Sequence, residues 1–393
     1  MNLEIKSIIK FILLAIVLNT SLLIYQLKAC TSFVIYGESG QIYYGMNFDY
    51  PDVEMRFSIM QNNSINIFHL EFYENGNWYS TVGMNTSGFF SSCQMLYPEV
   101  NSFSYPSDNE ISIGYLYYVS LFNIDTVNTI INNFDTSETK IIHTYGKTLH
   151  NIFADKYGNA ITLEVGTNEP LITQIQDSFL VMTNFPNSEY CGQPYTEVQG
   201  VGAERYKAAF EYILNHFNGF DFNDGIETLK QSIQSSGSYR TQCSFLFDPL
   251  KLEIYIVIKR DFDKIWKVDL IEETIETFTG FDFSVKLDMD NGILTSELIE
   301  LIDSHAESIN TYQSKTLEYL IYPNPAINSI KISSSDLLLK PVKYQLFDFY
   351  GRVIKQGDLK SDCLINISDI NKGSYMLNII SDNKNTCQKI IIE

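Results

Sequence analysis

Long apolar runs, cysteine, histidine and positive charge are all scarce in these 393 residues, and each scarcity removes a class of protein. The uninterrupted apolar run near the N-terminus, Phe11 to Leu18, is far short of the ~20 residues that a membrane-spanning helix needs. Six cysteines (Cys30, Cys93, Cys191, Cys243, Cys363, Cys387) are too few for a disulfide scaffold. The 27 basic side chains face 47 acidic ones, a net charge of −20. Such a surface repels phosphate backbones and anionic lipid, which argues against a nucleic-acid partner. His69, His143, His150 and His216 stand in no spacing that suggests a catalytic triad, so each reads as a core or surface residue.

What is present is a globular composition, 45% hydrophobic and 14% aromatic, with length for one large domain and a smaller one. Residues 1–29 carry Lys6 and Lys10, then an interrupted apolar stretch from Ile8 to Ile24, then Leu27 and Ala29 ahead of Cys30. This order reads as a secretory signal peptide, and its removal would leave no transmembrane segment. Cleavage takes away three lysines and one glutamate and moves the net charge to −22.

Strand patterns dominate from Cys30 to about Leu301. They are expected over Thr31–Tyr36, Gln41–Asn47, Ser58–Phe72, Trp78–Asn85, Ala160–Val165, Leu171–Gln176, Ser178–Thr183, Ser244–Phe247 and Glu253–Lys259. Two stretches have helical spacing. One is Ile111–Phe134; the other is the stripe Tyr206, Ala209, Phe210, Ile213, Leu214 and Phe217. Many antiparallel strands with a few long helices indicate an α+β layered domain over 30–302. The polar stretch 303–318 reads as a linker, and 319–393, with short alternating strands and turns at Tyr350-Gly351 and Lys372-Gly373, as a small β-sandwich in which Cys363 and Cys387 could bridge.

Cleavage after Ala29 would leave Cys30 with both a thiol and a free α-amine. An α-amine has an ordinary pKa of about 7.7 to 8, so it can take the thiol proton and later return it to a leaving amine. The thiolate would attack a carbonyl to give a thioester that water clears, with no histidine, metal or cofactor required. Two other readings stay open on these residues. Leu27-Lys28-Ala29-Cys30 is also similar to a bacterial lipobox, in which the thiol carries lipid, and a structural cysteine is the remaining alternative.

The stretch "CTSFVIYGESGQIYYGMNFDY" resembles the mature N-terminus of the choloylglycine hydrolase superfamily of N-terminal-nucleophile (Ntn) hydrolases, which includes bile salt hydrolase, penicillin V acylase, acid ceramidase and the isopenicillin N acyltransferase group. The family pattern is Cys-Thr, two strands and Gly-Arg-Asn-x-Asp; Gly45, Asn47 and Asp49 match and Met46 replaces the arginine. The resemblance implies a four-layer αββα sandwich, with Cys30 as nucleophile and Asp49 orienting its amine. It also implies Asn85 (in "VGMNTSGFF") and Asn184 (in "DSFLVMTNFP") at the oxyanion, and Arg205 (in "GAERYKAAF") as the late active-site arginine. Arg205 has a physical argument as well, because a cation in a first helical turn opposes the macrodipole and needs another reason to be there. The short interval from Asn184 to Arg205 resembles the acid ceramidase and acyltransferase side of the superfamily more than the bile salt hydrolases.

"YPNPAINSIKI", "QLFDFYGRVI", "INKGSYMLNI" and the final "QKIIIE" resemble the type IX secretion sorting domain. The implied partner is the type IX machinery and the implied location is secreted or cell-surface. Together the resemblances imply an exported hydrolase of linear, non-peptide amides, acting on a small N-acyl compound. The alternatives are a catalytically silent, surface or lipid-anchored binding protein on the same fold, or an acyltransferase.

Overall fold

The computed structural model describes residues 30–393 apart from 63–64, 101–105, 108, 137–139, 144–145, 168, 315–319, 334–342, 349–352, 360–362 and 382–383. The expected signal peptide, 1–29, and the side chain of Cys387, hence its pairing with Cys363, lie outside the described residues. The chain divides into two compact units, 1–300 and 301–393.

Two eight-stranded antiparallel sheets build the first unit. The first sheet runs β12 (Phe179–Met182), β1 (Cys30–Tyr36), β2 (Ile42–Asp49), β13 (Thr241–Asp248), β14 (Glu253–Ile258), β15 (Ile265–Asp269), β16 (Thr274–Thr279) and β17 (Lys286–Asp288). The facing sheet runs β11 (Leu171–Gln174), β10 (Ala160–Glu164), β9 (Leu149–Ala154), β6 (Phe90–Met95), β5 (Asn77–Asn85), β4 (Ile65–Glu74), β3 (Met55–Asn62) and β18 (Ile293–Leu294). A short parallel pair, β7 (Glu110–Ser112) and β8 (Lys140–Ile142), stands apart.

The sheets meet face to face through aromatic rings, Tyr44 on Phe90, Phe57 on Phe245 and Phe68 on Phe247, with centroids 5.1, 5.8 and 6.0 Å apart. Offset and edge contacts at these distances add to the burial that drives the sheets together. Strands buried on both faces need a second cover, and helices supply it. α1 (Ile113–Asn123) and α2 (Val127–Thr136) pack on the facing sheet; α3 (Ala203–His216) and α4 (Phe222–Gln231) pack on the first sheet. The result is the expected α+β, four-layer αββα order.

Three departures from the sequence pattern have local causes. Ser58–Phe72 is not one strand but parts of two, β3 and β4, paired antiparallel from Met55 against Phe72 to Asn62 against Ile65. Ile111–Phe134 holds the end of β7 and then two helices, interrupted where Ile124 O accepts from Asn85 Nδ2 and Val127 N donates to Asp155 Oδ2. The stripe on α3 buries Ala209 and Ile213, while Leu214 is half exposed at its edge. α4, which no stripe announced, is opened by a capping box: Asp221 accepts from Asn223 N and Asp224 N, and Asp224 accepts from Asp221 N.

The stretch expected as linker is helical as far as Ser314, in α5 (Thr295–Ser314). Leu298 is buried near the start of this helix, and once a helix is nucleated each further residue adds a hydrogen bond without needing an apolar stripe. The second unit holds a three-stranded sheet of β19 (Leu320–Tyr322), β20 (Ser329–Ser333) and β23 (Leu364–Asn366). Its four-stranded sheet is β22 (Val353–Asp358), β21 (Lys343–Phe347), β24 (Gly373–Ser381) and β25 (Lys384–Ile392). Ile330, Ile332 and Ile365 from one and Leu346, Leu377 and Ile390 from the other share one core, the expected small sandwich. Among the described residues no helix is long and apolar enough to cross a membrane.

Candidate active site

Cys30 opens β1 and pairs with Phe48 of β2. Side chains alternate along a strand, and Thr31 turns to the helix layer, where its hydroxyl meets Ser232 O. Ser32 turns to the facing sheet, 3.2 Å from Ser92 Oγ. Cys30 therefore faces the cleft between the sheets, and Asp49, on the opposite parity of β2 from Phe48, faces the helices.

The guanidinium of Arg205 draws these residues together. Nη1 donates to Cys30 O at 2.7 Å, Thr31 Oγ1 at 2.8 Å and Asp49 Oδ2 at 3.2 Å, and Nη2 donates to Asn184 Oδ1 at 2.9 Å. The fork of donors that only arginine offers is used on four acceptors, which resolves why a cation sits in the first turn of α3. Gly202, just before that helix at φ 83°, is required: a Cβ there would stand 2.7 Å from Arg205 Nη2 and 2.9 Å from Thr183 Cβ.

Asn184 holds the other end of the arrangement. Cys30 N donates to its Oδ1 at 2.9 Å, and its Nδ2 donates to Met95 O at 2.7 Å, which leaves one amide proton uncommitted. Asp49 is fixed from a second side by Thr241 Oγ1, which donates to Oδ1 at 2.5 Å, while Arg260 donates to the Thr241 carbonyl. Asn47 anchors β2 to the helix layer through Leu229 O and Ser232 Oγ. Thr31 was marked only as the second residue of the Cys-Thr pattern, and Thr241 carried no sequence signal; the register that sets Thr241 against Asp49 could not be read from spacing.

Asn85 does not join this group, and its expected role at the oxyanion is corrected. Its Nδ2 donates to Leu121 O and Ile124 O, and its Oδ1 accepts from Ser87 N and Phe89 N. Both amide protons are spent on the α1–α2 turn, so none is left for a reacting oxygen. Asn85→Ala should lower unfolding free energy by about 2–4 kcal/mol, measured in urea, while the folded variant keeps its chemistry.

Burial dominates the electrostatics. It pushes the Cys30 thiol well above the ordinary thiol range; the Asp49 charge adds to this and Arg205 opposes it. Burial raises Asp49 to about 7 against the pull of Arg205, Thr241 and Arg260. A carboxyl raised above its unfolded value of about 3.9 favours folding most below that value. That contribution is lost as pH rises to about 7. Asp49→Asn should therefore gain in stability relative to the parent between pH 4 and 7 and no further above, checked by chemical unfolding across that range.

Beside Cys30, Phe48, Tyr50, Phe72 and Tyr79 form a series of ring contacts, with centroids 4.7 to 5.8 Å apart. The Tyr50 hydroxyl donates to Glu74, which also pairs with Lys147 at 3.0 Å. Met46 is fully buried on the same face of β2 as Phe48, so no cation stands where the resembled sequence pattern has arginine.

Residues 320–393 match the family described as Secretion system C-terminal sorting domain. The sorting domain thus coincides with the second unit's two small sheets. Similar solved structures include two altered forms, a mutant and a variant, of conjugated bile acid hydrolase from Clostridium perfringens. Each is 15% identical, with TM-scores of 0.47 and 0.48, covering 64% and 67% of this chain and 96% and 100% of theirs. Penicillin V acylase from Agrobacterium tumefaciens is also similar, at 15% identity and a TM-score of 0.49, over 64% of this chain and 91% of that one. No curated protein sequence matches this chain.

Proposed function

We propose that this protein is an exported cysteine Ntn-hydrolase that cleaves a linear, non-peptide amide C–N bond of an N-acyl compound through a thioester. The observation that carries this reading is Arg205 joining Cys30, Asp49 and Asn184, with Cys30 N on Asn184 Oδ1. Removal of residues 1–29 would turn that nitrogen into an α-amine already held by Asn184. Its lone pair takes the thiol proton, which a buried thiol will not release to water unaided. The sulfur attacks the amide carbon, and the oxygen that becomes negative accepts the remaining Nδ2 proton of Asn184; one such donor is typically worth ~10²- to 10³-fold. The C–N bond breaks as the α-ammonium returns its proton to the leaving amine, and water, deprotonated by the same amine, hydrolyses the thioester. Phe48, Tyr50, Phe72 and Tyr79 offer an apolar wall for the acyl group.

Incubation of the mature protein with a panel of N-acyl amides, with mass spectrometry of the trapped protein, tests this. An acyl adduct on Cys30 is expected, and its absence across the panel would overturn the reading. Adduct with product appearing only when an acceptor amine is added would indicate the acyltransferase. A silent or lipid-anchored binding protein is the second reading, favoured by Met46 in place of the arginine. Intact-mass analysis separates the two, because a diacylglyceryl adduct on Cys30 excludes the enzyme.

The sorting domain supports passage through the type IX machinery to the exterior or the cell surface. Deleting 320–393 should keep the protein inside the outer membrane with its hydrolysis intact, read by fractionation and assay.

A further inference from the structure

A buried polar chain behind Asn184 has no counterpart in any motif of the sequence. His150, on β9, is completely buried, and its Nε2 donates to Thr183 O at 2.7 Å. That contact fixes the proton on Nε2, since a carbonyl only accepts. Nδ1 lies 3.7 Å from Glu164 Oε1, beyond hydrogen-bond distance. Glu164, on β10, is itself held by Asn187 N at 2.6 Å and Ser188 Oγ at 2.5 Å. Burial would raise this carboxyl, but His150, Ser188 and Asn187 together hold it below its ordinary range.

The target of the chain is the peptide plane that leads into Asn184. Gln94 pairs with His150 in the sheet register and lies on its face. With its oxygen toward Ser32 N and Oγ, at 3.2 and 2.5 Å, its nitrogen donates to Thr183 O at 3.3 Å. One carbonyl thus receives two donors from the facing sheet. On the far side of the same residue, Tyr97 N donates to Asn184 O at 2.8 Å, and Met95 O takes the side-chain amide. Asn184 is pinned by the backbone before it, the backbone after it and its own amide, and the first of these pins is set by His150.

We propose that His150, backed by Glu164, is a positioning residue for the reaction: it clamps the Thr183–Asn184 peptide so that Asn184 Oδ1 meets Cys30 N and the free Nδ2 proton points at the oxyanion. It touches neither substrate nor sulfur and acts only through Thr183 O. Displacing a catalytic group by about an ångström costs up to ~10²-fold, and support behind a first contact commonly costs 10- to 100-fold when lost.

This inference rests on the hydrolase reading, and the test separates the two. His150→Phe keeps the ring volume and loses the donor; His150→Gln places an amide N–H near the position of Nε2. Both are compared with the parent in steady-state kinetics and in the rate at which iodoacetamide alkylates Cys30. Expected is a kcat lowered ~10- to 100-fold in His150→Phe with KM unchanged, recovery to within ~3-fold in His150→Gln, and parallel changes in alkylation rate. His150→Phe equal to the parent, or His150→Gln as impaired as His150→Phe with both cooperatively folded, would overturn it. If the parent hydrolyses no amide, the hydrolase reading fails and the alkylation rates alone decide this one. Should His150→Phe not fold, Gln94→Met removes the second donor to the same carbonyl, and the same loss is expected.

Discussion

Cys30→Ala should reduce amide hydrolysis by roughly 10⁴-fold or more and remove the acyl adduct altogether, because the remaining groups only orient a nucleophile that is no longer there. The change is also structurally small. Cys30 is buried at the start of β1 and its sulfur makes only a weak contact, 3.9 Å from Asp49 O, so the variant should unfold within about 1 kcal/mol of the parent, as expected for a one-atom truncation. Kinetics with intact-mass analysis, beside urea unfolding of the same preparation, checks both halves. Appreciable turnover in a well-folded Cys30→Ala would sink the thioester route. Cys30→Ser is the more searching variant: its oxygen is harder to deprotonate in the same apolar surroundings, so a trace of ester adduct with very slow turnover is the expected outcome.

The second large effect is at Arg205. Arg205→Met removes the cation but leaves Asp49 fully buried beside Thr241, and an unpaired buried charge costs about 3–5 kcal/mol. The loss is larger than for an exposed ion pair because Arg205 also satisfies Cys30 O, Thr31 Oγ1 and Asn184 Oδ1. Asp49 is already raised to about 7 with the guanidinium in place, so its removal pushes the carboxyl further up and Asp49 enters the site protonated. Unfolding free energy should drop most at pH 8 and least near pH 5, where the carboxyl is neutral in either protein. Arg205→Lys keeps the charge but not the fork; it should recover most of the stability and little of the activity. Equal activity in Arg205→Lys and the parent would show that charge alone suffices and that the four-acceptor geometry is incidental.

How far the sequence foretold the site depends on the range of the interaction. Cys30, Asp49, Asn184 and Arg205 were legible because each stands in a short segment with its own resemblance, and Arg205 also because its place in the first turn of α3 opposes the helix dipole. Asn85 matched a segment too, but a local match cannot show where an amide's protons go, and here they close the α1–α2 turn. Thr241 and His150 were invisible for the opposite reason. Nothing near them in the chain marks them, and their partners, Asp49 and Thr183, are reached only through strand pairing across and between the sheets. An α+β layered domain was legible from strand alternation with one clear helical stripe, and the four-layer order only from the resemblance. The helix over 303–314 was not, since it continues a nucleated turn without a stripe, and α4 announced itself only by its cap.

Arg205 binds the carbonyl of Cys30 175 positions earlier, Asn184 binds its nitrogen across 154, and Thr241 binds Asp49 across 192. Bringing such distant segments together is slow compared with forming local structure. Cys30 is therefore among the last residues to be furnished with partners. Until position 241 is in place and both sheets have closed, Cys30 is an ordinary thiol on an unfolded strand. On the proposed reading, latency before folding is in this way a property of topology.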